Sequence, residues 1–108
     1  MIERVATLPQ AQAALQKHPT DDLELWSPEN AAETQGVMWF AMLQRALRAA
    51  CPDREPNLVL DCGARGDLAI EAIRLGLRNI ALRAPAEVTA KVADIAARNG
   101  GRVITDRF

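Results

Sequence analysis

The chain reads as an α/β protein built on a mostly parallel sheet, and three observations predict it. Short apolar runs alternate with amphipathic stretches of helical period along the whole of its 108 residues. Proline and glycine mark most of the changes between the two. One stretch, Leu58–Leu82, places an apolar run, a glycine-bearing turn, an amphipathic helix and a second apolar run in succession. That is a βαβ unit, and parallel neighbours need such crossovers.

The elements follow in order. Ile2–Ala6 is a first strand, after which Thr7-Leu8-Pro9-Gln10 has capping-box spacing and opens a helix to about Lys17, stopped at His18-Pro19. Leu23–Trp26 is the second strand. Ser27-Pro28-Glu29-Asn30 then supplies an N-cap serine, a proline at the first helical position and an acid near the positive helix end, so a long helix over 31–50 is predicted. Pro52–Asn57 is a polar and mobile loop. Leu58–Leu60, wholly apolar, suits a strand covered on both faces. The third helix runs from Asp67 to Leu75 with Gly76 as its stop, and Asn79–Leu82 is the fourth strand. Ala84-Pro85-Ala86-Glu87 opens a fourth helix with the apolar stripe Val88, Val92, Ile95 and Ala96, ended by Gly100-Gly101; Arg102–Thr105 is the fifth strand. The element order predicts a three-layer α/β/α sandwich, flavodoxin-like, with half of a (βα)8 barrel as the alternative.

A chain of this length carries one core, so residues 1–108 are expected to form a single domain. Thirteen basic against 14 acidic residues leave a net charge of −1, which favours neither nucleic acid nor an anionic membrane. The longest apolar run, Val37–Leu43, is far short of the roughly 20 residues of a membrane span. No signal peptide is read at the N-terminus, and the two cysteines form no metal-ligating set, so reduced thiols in a cytoplasm are expected.

Parallel strands bring their carboxyl ends to one rim, where open α/β sheets carry ligands. Asp61, Gly63, Arg65, Gly66 and Asp67 form the central strand-to-helix turn there, with Ser27 and Arg83 at neighbouring strand ends. In a binding role the glycines let backbone amides approach a small anion and the arginines add charge. In a structural role the glycines only permit the turn, and Asp61 pairs with Arg83.

The segment from Val59 through the helix ending in AARNGG resembles the first nucleotide-binding motif of S-adenosylmethionine-dependent methyltransferases over roughly residues 58–101. Asp61 and Gly63 match the start of that turn, Arg65 stands where a second glycine is expected, and Arg83 occupies the region of the ribose-binding acid. The resemblance is read as shared βαβ grammar, and methyl transfer is not expected of this chain.

Catalysis needs positioned acid, base or nucleophile groups. Cys62 lacks a neighbouring base, His18 lies at the far end of a surface helix, and Ser27 stands in no nucleophile elbow. The chain is therefore read as a non-catalytic module without cofactor or metal. On a continuous wheel over the second helix, Ala32, Gly36, Trp39, Leu43, Ala46, Leu47 and Ala50 form the core face. Val37, Met38, Phe40, Ala41, Met42 and Arg45 then fall on an oily outer face, an expected interface with a second copy or with another protein. Cover by the Pro52–Asn57 loop or by Asp106-Arg107-Phe108 is the intramolecular alternative.

Overall fold

Five strands of three residues each pair side by side in chain order, all parallel, in a computed structural model that describes residues 1–19 and 23–106. They are β1 (Ile2–Arg4), β2 (Glu24–Trp26), β3 (Val59–Asp61), β4 (Asn79–Ala81) and β5 (Arg102–Ile104). Backbone bonds carry the ladder one residue further, as where Val5 N donates to Trp26 O and Cys62 N to Ala81 O. Four helices alternate with the strands: α1 (Leu8–Lys17), α2 (Val37–Ala50), α3 (Gly66–Arg74) and α4 (Ala86–Arg98). The α/β class, the five-stranded parallel sheet and the alternation of elements are as the periodicity predicts.

Strand order sets the layering. Right-handed crossovers that always step to the next strand in one direction place their helices on one face of the sheet. Strand side chains divide accordingly. Leu25, Leu60 and Ile80 share one large core with Ala11, Phe40, Leu47, Ala72 and Val92 from all four helices. Trp26, Val59, Ala81 and Ile104 alternate with them and form a small cluster to which no helix contributes among the described residues. An all-parallel five-stranded sheet with four helices is the α/β fold expected, and its chain-order winding is also that of half a (βα)8 barrel, the alternative that the element order allows.

Burial of Phe40, Leu47, Leu60, Leu77, Ile80 and Leu82 is complete or nearly so. Each contributes roughly 2 kcal/mol to the core. The Thr7 cap forms as expected: its Oγ1 accepts from Gln10 N at 3.3 Å, and Gln10 Oε1 accepts in return from Ala6 N at 2.8 Å.

The long helix over 31–50 is not continuous. Ala32–Gly36 is a wider π-helical turn, and Gly36, at φ 99°, breaks the register before α2 begins at Val37. A wheel run through this break loses its phase, and the true core face is rotated by about one residue, roughly 100°. Val37, Phe40 and Ala41, expected on the outer face, are buried with Leu43, Gln44 and Leu47. Trp39, expected in the core, is exposed.

Candidate functional site

The strand-to-helix turn after β3 is closed by hydrogen bonds, whereas a cavity of about 610 Å³ opens beside Leu82, Arg83 and Thr105 at the carboxyl ends of β4 and β5. Ser27, expected as a helix cap, is wholly buried; its Oγ accepts from Asp61 N at 2.9 Å and donates to Pro28 O at 3.0 Å, tying β2 to β3. Asp61 is also fully buried. Its Oδ1 accepts from Gly63 N at 2.9 Å and closes the turn, whereas Oδ2 has no hydrogen-bond partner among the described residues. The charge nearest to Oδ2 is Arg4 Nη1 at 3.8 Å; the same guanidinium donates to Ser27 O and stacks over the Trp26 ring, 5.4 Å from its centroid. The expected pair of Asp61 with Arg83 is thus replaced by one with Arg4. Arg83 lies 3.7 Å from Glu29, and its backbone N–H donates to Gly63 O.

The turn glycines answer to packing. Gly63 is buried at φ 57°, and a Cβ there would run into Asn30 Oδ1; one on Gly66 would lie 2.5 Å from Val88 Cγ1. Arg65 reaches back to Asp67 at 2.8 Å and to Glu33 at 3.2 Å. The hydrogen bond from Arg65 holds the Asp67 carboxyl below the usual carboxylate range. Asp61, Gly63, Arg65, Gly66, Asp67 and Ser27 are therefore brought together as expected, but their polar groups are turned toward one another.

Cys62 follows Asp61 into the core. Burial first, then the negative charges of Asp61 and Asp67, push its thiol up to about 12. A thiol so held is no nucleophile at physiological pH. His18 pairs with Glu3 at 3.2 Å, and among the described residues no three His, Cys, Asp or Glu side chains group as metal ligands. No helix among them is long and apolar enough to cross a membrane.

The outer face of α2 differs in kind. Met38, Trp39 and Met42 are 56%, 52% and 61% exposed. Arg45 is exposed beside them. The Trp39 indole donates to Ala6 O at 2.8 Å, which lays the ring along the start of α1. Together with Leu8, Pro9, Leu43 and Ala46 it borders a shallow apolar groove of about 370 Å³. Trp39, Leu8 and Pro9 are the members of this face that sequence reasoning missed. The glycine at 36 is the signal that would have found Trp39, because a wheel begun at Val37 puts it opposite the core. The Pro52–Asn57 loop leaves these side chains uncovered, and Arg107 and Phe108 lie outside the described residues.

No family model matches the chain, and no curated protein or solved structure matches it at a significant level. The likeness of residues 58–101 to the methyltransferase motif accordingly rests on Asp61, Gly63 and the βαβ order alone.

Proposed function

We propose that this protein is a non-catalytic α/β module that works through protein association, with the outer face of α2 as its docking surface. One observation carries the reading: three of the large apolar side chains that stay exposed, Met38, Trp39 and Met42, stand together within two turns of one helix. Scattered apolar residues on a surface need no explanation, but a contiguous ridge of this kind marks an interaction site. Methionine adapts its shape to a partner, and tryptophan contributes a rigid anchor that is enriched where interfaces hold most of their energy. The groove beside Trp39 offers the concavity into which a partner side chain fits.

The closed turn after β3 supports the non-catalytic half of the proposal. Catalytic groups must reach a substrate atom. Ser27, Asp61 and Cys62 are all buried, and Arg65 and Arg83 already face carboxylates.

Sedimentation velocity over a range of concentrations tests the self-associating form. Wild-type protein is expected to sediment as a dimer, and Met42→Glu as a folded monomer. A wild type that stays monomeric at high concentration, with a Met38→Glu variant no more soluble and no less stable, removes the case for α2 as a self-association interface.

A further inference from the structure

The opposite end of the sheet carries a second feature, apart from the outer face of α2. Two adjoining cavities open at the amino-terminal ends of the strands and share Glu55 and Asn57 as a common wall. The smaller, of about 300 Å³, is lined by Arg48, Pro52, Glu55, Asn57 and Arg78. The larger, of about 390 Å³, has Leu15, Leu25 and Val59 among its apolar lining and Glu24, Asp53, Arg54, Asn79 and Arg102 among its polar lining. Together they reach the size of a pocket for a small metabolite.

Ion pairing of the arginines differs between the two ends. At the carboxyl rim Arg4, Arg65 and Arg83 each have a carboxylate within 4 Å. In the basin Arg48, Arg78 and Arg102 have none among the described residues. A basic side chain in a last helical turn complements the helix dipole, which accounts for Arg48. It does not account for Arg78, which lies beyond the end of α3 in the connection to β4. Two guanidinium groups on one concave wall repel each other, and an oxyanion between them reverses the sign of that interaction.

The wall between the cavities is built in advance. Gln44, buried in α2, donates from Nε2 to Pro56 O and accepts at Oε1 from Leu58 N, both at 2.6 Å. Arg54 donates to Leu15 O at 2.7 Å, and Arg48 donates to the Asn57 side chain. Glu55 is held at φ 45°, a conformation that non-glycine residues seldom take, and its carboxylate makes no ion pair among the described residues. This carboxylate shares the lining of the smaller cavity with Arg48 and Arg78, and no ion pair joins them among the described residues.

We propose that this basin binds a small hydroxylated phosphate monoester, its phosphate on Arg48 and Arg78 and a hydroxyl group of its body donating to Glu55 at the mouth of the larger cavity. Amide NMR titration of the full chain at constant ionic strength tests this with three probes: ribose 5-phosphate, inorganic phosphate and ribose. Ribose 5-phosphate is expected to shift the Glu55, Asn57 and Arg78 resonances saturably, inorganic phosphate to do so more weakly, and ribose not at all. Arg78→Gln is expected to weaken the ester by about tenfold or more. Arg83→Gln, at the opposite rim, leaves it unchanged. Absence of saturable shifts at these residues, or equal affinity in Arg78→Gln, overturns the proposal; inorganic phosphate binding as tightly as the ester overturns the role given to Glu55.

Discussion

Gly101 shows how one residue can look like punctuation and act as packing. After α4 the pair Gly100-Gly101 reads as a helix stop, and Gly100, at φ 77°, is that stop. Gly101 is needed for space instead, since a Cβ there would strike the backbone carbonyl of Arg78, which cannot swing aside. Gly100→Ala is therefore expected to cost about 1–2 kcal/mol, the ordinary penalty of a left-handed alanine. Gly101→Ala should cost clearly more, because the register of β5 against β4 must shift, and urea denaturation of the two variants measures the difference. Cys62 gives a second test at this scale. Its folded-state pKa lies above the ordinary value of 9.0, so the folded protein holds a proton that the unfolded chain releases. This contribution to stability is whole below about pH 9 and is lost as pH rises toward 12. Cys62→Ala is expected to flatten that part of the stability profile, and native Cys62 to resist alkylation at pH 8 while the half-buried Cys51 reacts. Alkylation of Cys62 as fast as that of Cys51 would show that the β3 end opens in solution.

Element by element, the legible parts were those governed by local chemistry. The Thr7-Leu8-Pro9-Gln10 signature gave the start of α1, and apolar runs bounded by glycine gave β3 and β4, because capping and strand patterning act over a few neighbouring residues. Phase was not legible across Gly36. A π-turn adds residues to a helical circuit without altering composition, so Gln44 falls on the solvent side of the continuous wheel and in the core of the folded chain. There it clamps the Pro52–Asn57 loop, which composition alone marks as mobile. Gln44→Ala removes two buried hydrogen bonds and leaves Leu58 N–H and Pro56 C=O unpaired, at an expected cost of about 2–4 kcal/mol. Hydrogen exchange should show faster exchange at Leu58 and through the loop in that variant, with α4 unaffected. Protection at Leu58 equal to that of the wild type would mean the clamp contributes nothing.

For the molecule as a whole, a parallel sheet in chain order has two unlike ends. Lys17, Arg48, Arg74 and Arg98 each stand in the last turn of a helix. Those four turns lie at one end, and Glu33, Asp67 and Glu87 stand near helix starts at the other. A net charge of −1 conceals this polarity. Helix dipoles favour it, which is why the same bias recurs in helix after helix. The α2 ridge adds a thermodynamic consequence at this scale. If the ridge joins two copies, the melting temperature rises with protein concentration by mass action, and Met42→Glu abolishes that dependence. A melting temperature independent of concentration in both proteins would count against dimerisation. Sequence by itself determined the α/β class, the number and order of the elements and the chain neighbourhood of Asp61, because periodicity, caps and turns are properties of adjacent residues. Only the tertiary structure decided that the strands follow chain order, that Asp61 meets Arg4 instead of Arg83, that Trp39 faces out and Phe40 in, and that Arg48 and Arg78 line one cavity at the amino-terminal end. Each of these depends on contacts between residues far apart in the chain, and local pattern carries no information about which distant partner a side chain will meet.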